Sequence, residues 1–463
     1  MARKKHNRFH IVTLGCPKNQ VDSEGIGAQL VQHGYRPVVH PDGADFIIVN
    51  TCGFLEAARQ EAIHTLRTLL THRRPGQRVI AAGCLAQLWG AELARVVPGL
   101  DGVIGTRSWA DIPMVFEQLA WRATRCNKPV VHVSEASHTS LDRAVLRLKG
   151  QQPRATAYLK IADGCSARCA FCLIPQIKGP ARSRPREAVL REARELVDQG
   201  AQELILIAQD TTAYGCDRGE REGLAALIEE ILRVAPELYW LRLMYAYPGR
   251  VSERLIEVMA THPQVCHYLD LPVQHGHPDT LRRMRRPHNV VELIRCIERL
   301  REAMPDIALR TSLIVGYPGE TEEEFQALLD FMRTVRFDHV GIFPYSREPG
   351  TPAYELPGQV PEEVKQARYE QAMELQQSIS LARNQAQVGR QLRVLVEGSN
   401  DGLSVARSYR DAPEVDGFVL IQEEHPVGSW LNVHITAATP YDLIAATETS
   451  QRCSSACIMA EGL

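Results

Sequence analysis

The chain has 463 residues, 44% of them hydrophobic and 23% charged, with a formal net charge of -2. A chain of that length holds about two to four domains with sizeable cores. No apolar run reaches the roughly 18 residues of a membrane span, and near neutrality leaves no overall field for polyanions, so tight nucleic-acid binding is not expected. The twelve cysteines are too sparse for a disulfide scaffold, and the basic start MARKKHNRFHIVTLGC lacks an apolar core of signal-peptide length. Both features read as a cytoplasmic protein whose thiols serve metal binding or catalysis.

Three short apolar runs open the chain, HIVTLG (10–15), DFIIVNT (45–51) and RVIAAG (78–83), with amphipathic stretches such as EGIGAQLVQHGY between them. This alternation predicts βαβ units and an N-terminal parallel α/β domain over 8–125. Each run leads directly into a cysteine, Cys16, Cys52 and Cys84, at spacings of 36 and 32 residues. Open parallel sheets bind ligands just beyond the carboxyl ends of their strands, so three cysteines far apart in sequence can converge on one point. Residues 126–153 show no sustained period and are expected to form a connector.

A second alternation fills 154–388, with candidate strands AYLKIA, ELILIAQ, WLRLMYAY, YLDLPVQ, LRTSLIVG and VGIFPYS, each followed by a helical pattern such as REAVLREARELVDQG. Six β/α units fall short of the eight that close a full barrel, which predicts a central open six-unit (β/α) partial barrel. A helical run over 362–387 then leads into LRVLVEG, FVLIQEE and NVHITAATPYDLIA, a predicted small β barrel within 389–447. The tail 448–463 is rich in small residues and is expected to be disordered.

Chemistry concentrates in ADGCSARCAFCLIP (162–175), where Cys165, Cys169 and Cys172 form a CxxxCxxC behind the first strand of the central domain. A closed structural zinc site takes four ligands. Three thiolates suit a 4Fe-4S cluster with one open iron; a three-cysteine zinc site completed by a distant histidine is the alternative. Phe171 can shield such a centre. A lone cysteine is usually a small buried apolar residue, but Cys16, Cys52 and Cys84 share one strand-end setting. Cys126, Cys216, Cys266 and Cys296 lack that context and read as structural, and Cys453 and Cys457 belong to the tail. The run RRMRR (282–286) reads as a solvated helix face or a contact for an anionic partner. Gln209, Gln274 and Arg310 stand at or near strand ends, where side chains can grip a cofactor or make structural hydrogen bonds.

The CxxxCxxC loop with the ensuing KGPARSRP resembles the radical S-adenosylmethionine (SAM) superfamily. The added strand-end triplet makes the chain similar to the methylthiotransferases within it. GCPKNQVDSE (15–24), VNTCGF (49–54), AQDTTAYG (208–215), LPVQHGHPDTLRRMRRP (271–287), VGYPGETEEEF (315–325) and DAPEVDG (411–417) resemble the subfamily that modifies an aspartate of a ribosomal protein. The resemblance implies an N-terminal methylthiotransferase domain, a radical SAM domain and a C-terminal TRAM barrel. It implies two 4Fe-4S clusters, one on Cys165, Cys169 and Cys172 that binds SAM, and one on Cys16, Cys52 and Cys84 that handles sulfur. It further implies catalysis by those six cysteines, an electron donor, and a methylthio group placed on the β-carbon of an aspartate in small-subunit ribosomal protein S twelve; a monomer is expected, and Gln209, Gln274 and Arg310, from their strand-end positions, are the expected SAM contacts.

Two other readings compete. A tRNA-adenosine methylthiotransferase would use the same clusters, but residues 391–445 hold three arginines against eight acids, a balance that repels phosphate and attracts a basic protein. Glu397, Asp411, Glu414 and Asp416 are expected to lie exposed around the DAPEVDG turn for that purpose. An iron-sulfur carrier or electron-transfer protein would leave six β/α units without a purpose.

Overall fold

The computed structural model describes residues 7–121, 128–135 and 155–447. Among them, no helix is long and apolar enough to cross a membrane.

The N-terminal sheet contains β1 (Arg8–Thr13), β2 (Arg36–Pro37), β3 (Phe46–Thr51), β4 (Arg78–Gly83), β5 (Gly102–Gly105) and β6 (Val130–His132), all parallel, in the order β2-β1-β3-β4-β5-β6. Every residue of β3 is buried, as expected of a central parallel strand covered by helices on both faces. One cluster under Phe46, Ile48, Trp109 and Phe116 fills one face, and another under Val49, Ile63, Leu66 and Val103 fills the other. The sixth strand corrects the expected boundary at 125. Residues 130–132 pair with β5 and belong to this sheet, although they fall within the expected connector. A three-residue strand is too short for periodicity to reveal.

The central domain holds β7 (Thr156–Lys160), β10 (Glu203–Ile207), β11 (Trp240–Leu243), β12 (Val265–Asp270), β13 (Ala308–Val315) and β14 (His339–Pro344) in one parallel sheet, ordered β14-β13-β12-β11-β10-β7. The short pair β8 (Ala162–Asp163) and β9 (Arg182–Ser183) brackets the cysteine loop. Helices cover the outer face through a large apolar core. The inner face is closed by Val21 of the N-terminal domain and by Leu395 and Ala412 of the C-terminal barrel, against Tyr158, Ile205, Trp240 and Tyr268.

That barrel is closed, β15 (Gln391–Asn400), β16 (Leu403–Ser408), β17 (Val419–Ile421), β18 (Trp430–Ala438) and β19 (Leu443–Thr447) running β15-β16-β17-β19-β18. Its acidic turn is not the exposed face expected from sequence. The Asp416 carboxylate accepts from the Tyr268 hydroxyl at 2.7 Å and pairs with Arg310 at 3.3 Å. Asp411 is buried against Ser408, and Glu397 pairs with Arg407 at 2.8 Å. Glu414 alone of the four is exposed. The acids are turned inward because the central domain supplies their partners, which a charge count over the barrel does not include. Cys266 and Cys296 are buried, as structural thiols should be, whereas Cys216 is exposed. Cys126, Cys453, Cys457 and the tail lie outside the described residues.

Candidate active site

β1, β3 and β4 are adjacent and in register, Val12 opposite Val49 and Val49 opposite Ala81. Their carboxyl ends therefore lie side by side. Cys16 caps the helix Pro17–Gln32, Cys52 follows β3 directly, and Cys84 opens the helix Cys84–Trp89. Each cysteine has a glycine neighbour. A Cβ on Gly15 would lie 2.8 Å from the Cβ of Cys52, and one on Gly53 would lie 2.8 Å from the backbone of Leu85. Gly83 holds a left-handed φ of +93° that a side chain would strain. Asn19 locks the three ends together by donating to Leu14 O at 2.9 Å and Thr51 O at 3.2 Å, while its Oδ1 lies 3.7 Å from Cys84 Sγ. Asn50 donates to Asn19 O at 2.8 Å. Sequence reasoning did not single out either asparagine, although both lie in the quoted motifs beside Cys16 and Cys52. Burial pushes the Cys84 thiol up to about 12 against the pull of Lys178, and burial also raises Cys52.

The second triplet sits on the loop after β8. The Cys165 N–H donates to Gly179 O at 3.0 Å, and the Cys172 N–H to Cys169 O at 3.2 Å. The Ile174 N–H donates to Cys172 Sγ at 3.4 Å, and Arg286 Nη1 to Cys169 Sγ at 3.7 Å. Burial pushes Cys172 up to about 12 and raises Cys165. Arg286 is thus a correction to the reading of RRMRR as a solvated face. It is buried, with its guanidinium 4.2 Å from the centroid of the Tyr247 ring. Phe171 packs beside Ala170, Met284, Tyr317 and Tyr345, an apolar wall behind the loop.

A buried ion network joins the two triplets. Asp22, on the helix that begins at Cys16, accepts from Lys160 at 2.6 Å and from Lys178 at 2.9 Å. Asp163 pairs with the same two lysines at 2.9 and 3.4 Å, and burial, which would raise its carboxyl, is overcome by Lys160 and Lys178, so it is held well below the carboxylate range. Gln209 Nε2 donates to Asp163 at 3.0 Å, while its buried Oε1 has no protein partner among the described residues. Gln274, four residues beyond β12, has a left-handed φ of +78°, and Tyr245, beyond β11, one of +61°. Such backbone persists where the surroundings over-determine it, commonly around ligands. Arg310 does not stand free to grip a cofactor, because its guanidinium is engaged by Asp270 at 3.0 Å and by Asp416.

The donor chemistry fits iron-sulfur clusters. A single tetrahedral ion with metal–sulfur bonds of about 2.3 Å brings its sulfurs within about 3.8 Å of one another. Among the described residues the one group of three ligand atoms within 4.8 Å of one another is His277, Asp279 and Glu324. Neither cysteine triplet has its three sulfurs gathered that closely, so neither is set as a single-ion zinc site. The partnerless Gln209 Oε1 suits a ligand that carries donors.

An open six-stranded parallel sheet with a three-cysteine loop behind its first strand defines a radical SAM enzyme. The sequence model of the radical SAM superfamily matches residues 159–332, that of the uncharacterized protein family UPF0004 matches 8–105, and that of the TRAM domain matches 388–447. The chain is 50% identical over 449 residues to the ribosomal protein uS12 methylthiotransferase RimO of Chloroflexus aurantiacus, covering 94% of this chain and 98% of that one. It is 49% identical over 454 residues to the RimO of a Roseiflexus species, covering 94% and 96%. The chain belongs to the family of the ribosomal protein uS12 methylthiotransferase RimO. Among solved structures, the radical SAM methyltransferase TsrM from Kitasatospora setae superposes with a TM-score of 0.54 at 15% identity, over 75% of this chain and 74% of that one. The cobalamin-dependent radical enzyme OxsB gives 0.52 at 12% identity over 75% and 55%. These two likenesses speak to the fold alone.

Proposed function

We propose that this chain replaces a hydrogen on the β-carbon of an aspartate in ribosomal protein uS12 by a methylthio group. In this reading Cys165, Cys169 and Cys172 hold a 4Fe-4S cluster that binds SAM, and Cys16, Cys52 and Cys84 hold a second cluster. One observation carries it: two strand-end cysteine triplets are pinned to each other through Asp22, Lys160, Asp163 and Lys178.

A saturated C–H is too weak an acid for any tuned side-chain base. When bound, the groups supply reductive cleavage of SAM, a radical able to take that hydrogen, and sulfur for the transfer. The chain's own residues prepare the setting. Arg286 and the Ile174 N–H donate toward Cys169 and Cys172, drawing charge from the thiolates and tuning how readily the site accepts an electron. Phe171, Tyr317 and Tyr345 exclude water behind the loop. Gln209, two residues beyond β10 and held by Asp163, keeps a free buried acceptor there. Lys178 places positive charge near Cys84. The test is mass spectrometry of uS12 incubated anaerobically with the reconstituted enzyme, SAM and a reductant. One methylthio group on one aspartate is expected; unmodified uS12 beside rapid SAM cleavage would overturn the substrate assignment.

A further inference from the structure

Lys18 stands apart from the other buried lysines. Lys160, Lys178 and Lys365 each have a carboxylate within 3.1 Å, namely Asp22 at 2.6 Å, Asp22 at 2.9 Å and Glu362 at 3.1 Å. Lys18 is only 9% exposed. Among the described residues no carboxylate lies within ion-pair distance of it, and its ammonium rests 3.1 Å from the centroid of the Tyr245 ring. The nearby acids are already engaged, Asp270 by Arg310 at 3.0 Å and Asp163 by Lys160 and Lys178. Cys16, Asp270 and Asp163 act on this ammonium only from beyond bonding distance, so among the described residues it is buried with no bonded counter-ion, a cost that an arriving anion offsets.

The position says which anion. Lys18 is two residues from Cys16, in the first turn of the helix Pro17–Gln32 that Cys16 caps. Tyr245 lies at the mouth of the central sheet, its ring brought under the ammonium by the left-handed backbone at φ +61°. A group held by Lys18 therefore sits between the strand-end triplet and the carboxyl ends of β11 and β12. We propose that Lys18 receives the side-chain carboxylate of the substrate residue and so selects an acidic side chain for modification. This inference rests on the reading of an aspartate substrate given above. A charge-assisted bond to the carboxylate places the adjacent carbon beside Cys16, and an amide side chain in the same place leaves the ammonium uncompensated.

The test uses the full-length reconstituted enzyme and two fluorescein-labelled peptides copying the uS12 segment around the modified residue, one with aspartate and one with asparagine there. Binding is read by fluorescence anisotropy, with iron content as the check that each variant is intact. The parent should bind the aspartate peptide about tenfold or more tighter than the asparagine peptide. Lys18→Met, which keeps the length of the buried stem, should abolish that preference by weakening only the aspartate peptide, and Lys18→Arg should restore part of it. Retained preference in Lys18→Met, or equal weakening of both peptides, overturns the role of Lys18. A parent that binds neither peptide sinks the substrate reading itself and the inference with it, and so is told apart from a failure of Lys18 alone.

Discussion

Asp22 and Lys178 lie 156 residues apart and meet at 2.9 Å, both buried, one on the helix that begins at Cys16 and the other at the end of the helix that follows Cys172. Each cysteine triplet is therefore positioned partly by the other's helix. Asp22→Asn would leave two buried ammonium groups to share Asp163. Removing one partner from a buried network costs about 3 kcal/mol. Denaturant unfolding should show a loss of that size, and limited proteolysis should cut faster between the N-terminal and central domains. An unchanged midpoint would mean that water satisfies the lysines in solution.

Iron content separates the two triplets. The reconstituted parent should carry about eight irons. Changing Cys165, Cys169 and Cys172 together to Ala should leave about four and abolish formation of 5'-deoxyadenosine. Changing Cys16, Cys52 and Cys84 to Ala should also leave about four, retain 5'-deoxyadenosine formation and attach no methylthio group. Sulfur transfer at the parent's rate by the second variant would make the N-terminal triplet structural.

Gly53→Ala is the smallest change that should remove a cluster. Its Cβ would meet the Cα and N of Leu85 at 2.8 Å, backbone atoms that cannot swing aside, so the turns bearing Cys52 and Cys84 must separate. Iron should fall to about four while SAM cleavage persists. Full iron loading would show that the two turns can slide apart without losing the site.

The seat of the C-terminal barrel should be acid-labile. Glu203 is buried with Arg242 at 2.8 Å and with Arg407; burial works to raise its carboxyl, but the two arginines hold it down at about 2, below the ordinary 4.5. Asp338 is likewise held at about 2 by Arg410 and Arg383 against burial. Carboxylates held below their unfolded values stabilise fully above those values, and that stability fades as pH falls from about 4.5 toward about 2. Fluorescence of Trp430, which packs edge-on against Trp240 across this seam, should report an acid transition in that window. Glu203→Gln should lower stability at neutral pH and flatten part of the slope. A variant with the parent's acid profile would place the proton uptake elsewhere.

Much of this architecture could be read from periodicity. All six strands of the central sheet and the three leading to Cys16, Cys52 and Cys84 are short, largely apolar runs of four to eight residues, the central ones such as FIIVNT and ELILI buried throughout. What escaped was either too short or satisfied from afar. GVIG and VVH offer no period, and LSVARS reads as polar because Arg407 and Ser408 are buried against the central domain. The cysteines were legible through their common strand-end setting. The Asp22 network was not, since two acids and two lysines scattered from 22 to 178 carry no local signal, and Arg310 looked like a cofactor contact until Asp416 approached from another domain.

The sixth strand of the N-terminal sheet bears on how that domain can be handled alone. Val130–His132 covers the outer edge of β5, and the segment is tied down by His132 to Asp111 at 3.0 Å and by Gln87 to Ser134 O at 3.0 Å. A fragment cut at residue 125 would leave β5 with a bare row of amide and carbonyl groups, an invitation to strand addition between molecules. A soluble fragment for spectroscopy must therefore run past His132, and one ending earlier should precipitate through its own sheet edge.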